Sequence, residues 1–293
     1  MNAMKRFAAI LCLFMFFSLL NAQNQSFTQT KAQDAYINPS LIGKAINGRL
    51  SVGYRNQWPG IANLQSYYVT AEKYFEKIKS GMGFQVMSYA SSKVDKSYFP
   101  RVYYAYNLQV GEMSYVRFGL AGGVGIYDYG DNVILPGDIV GEGHEYVPDS
   151  TTVKADFSVG MSLNIGEHTT IGIGGNHVTS FGQGRTPFVL SLYYSDKIAI
   201  DDNDFISPTV LYQYQGSFDY LNLCATWNHS LMNVGIGYNL HVYRFNVDNI
   251  HAGVLLFGLN FSNIDVTYSL DVPFGGIGLK SFGAHEIVVR YDF

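Results

Sequence analysis

The stretch that decides the fold runs from Val153 to Ile165 and reads VKADFSVGMSLNI. Its even-numbered positions are polar or glycine. Its odd-numbered positions are all apolar, namely Val153, Ala155, Phe157, Val159, Met161, Leu163 and Ile165. This alternation has the two-residue period of a β-strand, and helical spacing does not explain it. The stretch therefore predicts one long strand with an apolar face and a polar face.

The same rhythm recurs along the chain. It is clearest at Ile264–Asp271 and Leu221–Asn228, where apolar and polar residues again alternate. Eleven weaker candidates complete a set of about fourteen strands: 49–57, 67–74, 81–89, 98–110, 115–127, 169–178, 188–197, 204–214, 231–238, 253–261 and 285–293. An even number is typical of bacterial single-chain membrane barrels, which bring both chain ends to the periplasmic side.

The composition points to a membrane. Charged residues make up 14% of the chain, while Tyr (23), Phe (20) and Gly (31) are abundant. Ordinary soluble domains carry roughly 25% charged residues. Beyond the N-terminal leader no apolar run is long enough for a spanning helix, so a membrane protein of this composition must cross with strands. We therefore predict an all-β fold, a transmembrane antiparallel up-and-down β-barrel that spans the outer membrane many times and contacts its lipid.

The N-terminus has the pattern of a secretory leader. Lys5 and Arg6 precede an apolar run from Phe7 to Leu20. A small residue then stands at the position where signal peptidase would cut, which predicts cleavage between Ala22 and Gln23. The apolar run is shorter than the roughly 18 residues that a membrane anchor needs.

Three parts of the chain follow from these patterns: a signal peptide (1–22), an irregular N-terminal segment (23–48) and the barrel (49–293). The irregular segment contains no clear strand, and Asn38-Pro39 marks a turn within it. We expect it to lie in the periplasm or to fold into the lumen, where it could plug the barrel or contact periplasmic partners.

Several classes of function are disfavoured. Without the leader the chain has 17 basic and 23 acidic residues, a net charge of −6, so nucleic acid is not an expected partner. Cys224 is then alone and predicts neither a disulfide nor a zinc site. No nucleophile elbow, zinc-binding helix or phosphate loop is present, so we expect no catalytic, cofactor-binding or metal-binding residues. Glycines 172, 174 and 175 lie inside a strand pattern and predict close backbone packing instead of a nucleotide turn.

The first strand carries a polar group that allows two interpretations. Arg55 and Gln57 share one face by alternation, and Asn56 and Trp58 share the other. These residues could bind a polypeptide in the lumen or at the periplasmic mouth. Alternatively, Arg55 pairs with a carboxylate of a neighbouring strand and Trp58 anchors the barrel at the membrane interface.

The last strand runs to the C-terminal Phe293. Glu286 shares a face with Arg290, which predicts a ladder of ion pairs on the lumen wall, while His285 lies on the opposite face. Tyr291 and Phe293 are placed for an aromatic girdle. A final aromatic strand of this form also resembles the signal that barrel-insertion machinery reads.

Three blocks together resemble the PorP/SprF family of type IX secretion system membrane proteins of Bacteroidetes. The first block contains Asn38-Pro39 and the Arg-Asn-Gln-Trp strand, the second contains His177, and the third surrounds His285-Glu286. They read YINPSLIG (36–43) with YRNQWPGI (54–61), GGNHV (174–178), and YSLD (268–271) with GAHEI (283–287).

The resemblance implies a function that the residue patterns alone do not. A member of this family would be a non-enzymatic outer-membrane barrel needed for the export or surface attachment of particular cargo proteins, often adhesins. It would work beside the type IX translocon and the periplasmic ring components, and it would contact the cargo or its C-terminal domain. A passive channel for small solutes is the alternative, because about fourteen strands leave room for a narrow lumen.

Overall fold

The computed structural model describes residues 26–45, 47–91, 95–129, 150–166, 168–180, 187–216, 218–243, 249–274 and 278–293. The predicted signal peptide and its cleavage site at Ala22 and Gln23 lie outside these residues. No helix in the described part of the chain could span a membrane.

Strands dominate the fold. They are β1 (Arg49–Gln57), β2 (Leu64–Phe75), β3 (Ser80–Ser91), β4 (Asp95–Gly111), β5 (Ser114–Tyr129), β6 (Ser150–Ile165), β7 (Thr169–Asn176), β8 (Val189–Ser195), β9 (Ile198–Ala199), β10 (Phe205–Tyr214), β11 (Phe218–Asn228), β12 (Met232–Tyr243), β13 (Ile250–Phe261), β14 (Ile264–Pro273) and β15 (Ala284–Asp292).

The strands form one closed antiparallel barrel. Each long strand pairs with the next along the chain, β10 bridges β8 and β11, and β1 pairs with β15 to close the ring. The two-residue β9, which the sequence did not suggest, pairs only with β10. The barrel wall therefore consists of fourteen long strands. This confirms the predicted fold class and strand number.

The two faces of the wall separate by polarity. In β6, Asp156, Ser158 and Ser162 are buried on the inside, while Phe157 and Met161 are exposed on the outside. An apolar outer surface and a polar interior are what a lipid bilayer and an aqueous lumen require.

The turns distinguish the two ends of the barrel. Short turns at 76–79, 112–113 and 262–263 lie at the end where β1 begins and β15 finishes. Bacterial outer-membrane barrels place short turns in the periplasm and longer loops outside. This end is therefore the periplasmic end.

The N-terminal segment lies inside the barrel. Its described residues form a 3-10 turn (Thr30–Ala32), the short helix α1 (Asp34–Ile37) and a second 3-10 turn (Pro39–Leu41). At the outer end, Gln215 donates to the Ser26 hydroxyl, and at the periplasmic end Tyr74 N–H donates to Ala45 O. The segment thus runs through the lumen before β1 begins.

A charge on the lipid face provides a test of this architecture. Leu120 lies near the middle of β5 and is 59% exposed. We expect Leu120→Arg to lower the free energy of unfolding by about 2–4 kcal/mol, because the bilayer midplane cannot solvate a guanidinium. Val110→Arg, on the same face next to the periplasmic turn, should cost about 1 kcal/mol or less. Urea titration in lipid vesicles measures both changes. Equal costs at the two positions would contradict the assignment of this surface to lipid.

Candidate functional site

A buried ion cluster lies in the outer half of the lumen. Arg55 of β1 is 1% exposed, and its Nη2 lies 2.7 Å from Asp271 Oδ2 of β14. Its Nη1 lies 3.1 Å from Glu286 Oε2 of β15, the strand next to β1. One guanidinium therefore joins carboxylates from two strands, a fork geometry that arginine suits better than lysine.

The N-terminal segment completes this cluster. The Thr28 N–H donates to Glu286 Oε2 at 2.9 Å, and the Gln29 N–H donates to Glu286 Oε1 at 3.2 Å. The Thr28 hydroxyl donates to Asp271 and accepts from Arg55 Nη1 at 2.9 Å. Buried carboxylates need such partners, since an unpaired buried charge is strongly destabilising. The cluster thus fixes the N-terminal segment to three strands of the wall.

A second buried cluster lies on the opposite side of the ring. Arg101 Nε of β4 donates to Asp156 Oδ2 of β6 at 2.6 Å, and His177 Nδ1 lies 3.0 Å from Asp156 Oδ1. The Arg101 guanidinium also lies 5.6 Å from the ring centre of Tyr36 in α1. Asn176 Nδ2 donates to Tyr36 O at 2.6 Å. Arg101 of β4 and Asn176 at the end of β7 therefore hold α1 in place.

Next to the second cluster, the Asn-Pro turn packs directly on the wall at β6 and β7. Asn38 is fully buried, and its side-chain amide donates to Met161 O at 3.0 Å and to Ile173 O at 3.1 Å. Its Oδ1 accepts from Ser40 N–H at 2.9 Å, the usual cap of a helical turn that has proline in its first position. A single side chain thus caps its own turn and binds backbone carbonyls of β6 and β7.

Glycines make room for this turn. A Cβ at Gly160 would lie 1.9 Å from Asn38 Oδ1, and one at Gly174 would lie 2.5 Å from Ile37 O. A Cβ at Gly119 would lie 2.0 Å from Ser40 N. Of the three glycines predicted to allow close backbone packing, Gly174 does so, because the backbone of the Asn-Pro turn approaches it. A Cβ at Gly172 would instead meet the Asn38 side chain at 2.7 Å, and one at Gly175 would meet the Phe188 ring at 3.2 Å.

This contact can be tested with one added side chain. We expect Gly119→Val to displace the turn, because the valine Cβ would overlap the backbone of Ser40. Gly122→Val is the matched control on β5, since a Cβ there meets Phe157 at an ordinary 3.4 Å. The readout is a disulfide between Ser40→Cys and Ser162→Cys in a Cys224→Ser background, since the two serine hydroxyls are 2.9 Å apart. Formation of the disulfide in the Gly119→Val protein as readily as in the control would contradict the prediction.

A cavity remains at the periplasmic end, where the N-terminal segment leaves the lumen. It measures about 640 Å³, and we call it the periplasmic vestibule. It is lined by Lys31, Gly43, Lys44, Tyr74, Asn107, Tyr115, Arg117, Asn164, Gly166, His168, Thr170, Ser195, Asp196, Lys197, Phe205 and Ser207. The surrounding barrel wall lowers the pKa of the Lys31 ammonium to about 8, and the Asp34 carboxylate acts in the opposite direction.

The polar residues predicted to act together on the first strand lie in different environments. Arg55 and Gln57 face the lumen and are buried, with Arg55 Nε donating to Gln57 Oε1 at 3.3 Å. Asn56 lies on the other face. Trp58 does not share that face, because its backbone turns to a φ of 56° after the strand ends. Its ring lies 6.4 Å from the ring of His241 at the outer end of the lumen.

The charged residues of the last strand form ion pairs on the lumen wall, as the sequence predicted. Glu286 pairs with Arg55, as described above, and Arg290 pairs with Asp265 of β14 at 3.1 Å. Each pair joins β15 to a neighbouring strand, because residues four apart on one extended strand are too distant to pair with each other.

The other residues singled out near the C-terminus lie on the outside. His285 Nδ1 lies 2.7 Å from the Tyr268 hydroxyl on the outer surface. Tyr291 and Phe293 are exposed at the periplasmic rim with their rings 5.1 Å apart. Of the residues predicted as contacts, only Asn38, Pro39, Arg55, Gln57, His177 and Glu286 contribute to the contact between the N-terminal segment and the lumen wall.

Several residues of this contact were not predicted. Thr28, Arg101 and Asp156 have no local motif, although a charge on the polar face of a strand is the signal that could have drawn attention to Asp156. Their roles depend on which strands become neighbours in the ring. Among the described residues, no group of His, Cys, Asp and Glu is arranged to hold a metal ion.

These features define a class of protein, an outer-membrane β-barrel whose lumen is occupied by its own N-terminal segment. The family described as "Type IX secretion system membrane protein PorP/SprF" matches residues 19–291. The chain therefore belongs to this family, as the sequence blocks predicted. It is an outer-membrane component of the type IX secretion system.

Solved structures support the fold alone. The chain is similar to the CymD monoaromatic hydrocarbon channel, with a TM-score of 0.61, 13% identity, and 92% and 95% of the two chains covered. It is also similar to a FadL homologue from Pseudomonas aeruginosa, with a TM-score of 0.51, 11% identity, and coverage of 94% and 95%. Omp33 from Acinetobacter baumannii has a TM-score of 0.50, 9% identity, and coverage of 86% and 100%. No curated protein matches the chain.

Proposed function

We propose that this protein is a non-enzymatic accessory of type IX secretion that supports the secretion or surface attachment of specific cargo proteins, such as adhesins. It holds cargo, or the C-terminal domain of cargo, at the outer membrane. It does so beside the translocon and the periplasmic ring components.

The observation that carries the proposal is the N-terminal segment bound inside the lumen. The N-terminal segment is bound to β1, β14 and β15 through Thr28, and to β6 and β7 through Asn38. The N-terminal segment fills the interior and is held there by many specific hydrogen bonds. Such a barrel is suited to binding proteins at its ends. A passive solute channel would instead need an aqueous path through the same space.

The chemistry of the described lumen also favours a structural role for its charges. Arg55, Asp271 and Glu286 are paired with one another and with the N-terminal segment, so each charge already has its partners. A catalytic base or nucleophile would need access to a substrate. We therefore assign these residues to holding the segment in place.

A deletion strain and planar bilayers together test the proposal. Surface proteins of the deletion strain should lack one or a few specific cargo proteins, while uptake of small solutes is unchanged. The purified full-length protein should give no sustained conductance. A complete surface-protein profile together with reduced solute uptake would reject the proposal in favour of a channel. Complementation with the intact gene is the control for polar effects.

A further inference from the structure

The periplasmic vestibule is a large cavity of about 640 Å³ with a cationic lining. Four cationic side chains and one carboxylate line it among the described residues, a net formal charge of +3 with His168 neutral. The cations are Lys31, Lys44, Arg117 and Lys197. The chain as a whole has a net charge of −4, so this local excess runs against the overall balance. A concave, positively charged surface concentrates anionic ligands.

The single carboxylate of the lining, that of Asp196, already accepts hydrogen bonds from the protein. Asp196 Oδ1 accepts from the Thr169 hydroxyl at 3.1 Å and from the Lys197 N–H at 2.8 Å. The Lys197 ammonium lies 4.5 Å from the ring centre of Phe205 and forms no ion pair among the described residues. Lys31 likewise has no ion-pair partner there, whereas Lys44 pairs with Asp34 at 3.4 Å. Two ammonium groups thus face the vestibule without a neutralising contact.

Buried polar atoms without a hydrogen-bond partner also indicate a ligand site in the vestibule. Arg117 is 4% exposed and donates from its Nη2 to Ile42 O, but its Nε finds no acceptor. Asn107 Oδ1, also in the lining, finds no donor. Buried polar groups in native proteins normally have partners. The vestibule therefore offers unused hydrogen-bonding capacity of both kinds beside its positive charge.

The shape of the vestibule suits the binding of a ligand better than the passage of a solute through the barrel. Lys31, Gly43 and Lys44 of the N-terminal segment form part of the lining, so the segment closes the vestibule toward the outside. A ligand that enters from the periplasm must leave by the same route. The volume of about 640 Å³ lies within the roughly 300–1,000 Å³ typical of ligand sites.

The lining favours a peptide over a small inorganic anion. Amide and hydroxyl side chains can pair with both the N–H and the C=O of a peptide backbone. They are Asn107, Asn164, Thr170, Ser195 and Ser207. The rings of Tyr74, Tyr115 and Phe205 add apolar surface between them. Anions much smaller than the cavity would leave most of these groups unused.

We propose that the periplasmic vestibule binds an acidic peptide segment of a periplasmic partner protein, with Lys31 and Lys197 contacting its carboxylates. This inference rests on the proposed function, in which the barrel works with periplasmic components. It adds the site and the chemistry of the partner's segment.

The test uses the full-length protein in a neutral detergent and a fluorescein-labelled hexaglutamate peptide. Fluorescence anisotropy should show binding that weakens with added salt, as expected for partly exposed charges. The uncharged hexaglutamine peptide should bind far more weakly. Equal binding of the two peptides would overturn the proposal, as would complete displacement of hexaglutamate by millimolar inorganic phosphate, which would indicate a small-anion site.

A variant pair locates the binding. Lys31→Glu with Lys197→Glu should weaken hexaglutamate binding about tenfold or more, since two attractive contacts become repulsive. Lys77→Glu with Lys79→Glu is the matched control, because it makes the same charge change on the β2–β3 turn of the same end, outside the vestibule. The heat-dependent gel shift of a folded barrel must persist in both variants. Equal effects of the two variants would overturn the assignment to the vestibule.

The deletion strain separates failure of this inference from failure of the proposed function. If that strain loses a surface protein but the vestibule variant binds hexaglutamate normally, the function stands and the vestibule assignment falls. If the surface proteins are unchanged, the proposed function falls, whatever the purified protein binds. Loss of the same surface protein in the vestibule variant and in the deletion strain supports both.

Discussion

Removal of Ser26–Lys44, with the leader and residues 23–25 retained, should convert the barrel into an open pore that no longer supports secretion. The segment fills the lumen through contacts to strands on both sides of the ring, as shown by Thr28 with Asp271 and Asn38 with Met161. Without it, water should enter and solvate the charges that are now buried. We expect steady single-channel conductance in planar bilayers and loss of the cargo from the cell surface.

Two controls accompany this deletion. The heat-dependent gel shift shows whether the variant still inserts as a folded barrel, which the uninterrupted strand pairing of β1 to β15 leads us to expect. Replacement of the same residues by a glycine-serine segment of equal length tests whether specific contacts matter, and it should conduct like the deletion. A non-conducting deletion variant, or one that exports its cargo normally, would contradict this account of the N-terminal segment.

Arg55→Met should be the most destabilising single substitution in the lumen. It leaves the carboxylates of Asp271 and Glu286 buried together without their cation. Breaking a buried ion pair by removal of one partner costs about 3–5 kcal/mol. The free energy of unfolding in lipid vesicles, measured by urea titration, should fall by this amount.

The comparison that identifies the cause uses two further variants. Arg49→Gln removes an ion pair with Asp292 whose side chains are 25% and 46% exposed, and it should cost about 1 kcal/mol or less. Arg55→Met combined with Asp271→Asn and Glu286→Gln should recover part of the loss, because no unpaired charge then remains. If the triple variant is no more stable than Arg55→Met, the loss does not come from unpaired charge.

Strand positions were largely predictable, because each strand has one face toward lipid and one toward the lumen. Apolar and polar residues therefore alternate along it. The prediction for β1, Arg49–Gln57, has the observed bounds, and the prediction for β6 begins only three residues late. Trp58 shows the limit of this reasoning. Alternation holds only while the backbone stays extended, and the positive φ of Trp58 takes its side chain out of the pattern.

The contacts of the lumen were predictable only in part. A lumen-facing arginine must find a carboxylate, which made an ion pair for Arg55 foreseeable, but its two partners come from strands more than two hundred residues away in sequence. The same holds for Asn38, whose amide reaches carbonyls of β6 and β7.

The sequence by itself determined that this chain makes a closed wall with lipid outside, because the two-residue period is imposed on every strand by the solvents on its two faces. Three motif blocks in the sequence also led to the family. Only the tertiary structure decided that the N-terminal segment occupies the lumen and that Thr28, Arg55, Asp271 and Glu286 meet there. The physical reason is that closure of the ring brings distant strands around one small space, and nothing in local sequence records which polar groups will share it.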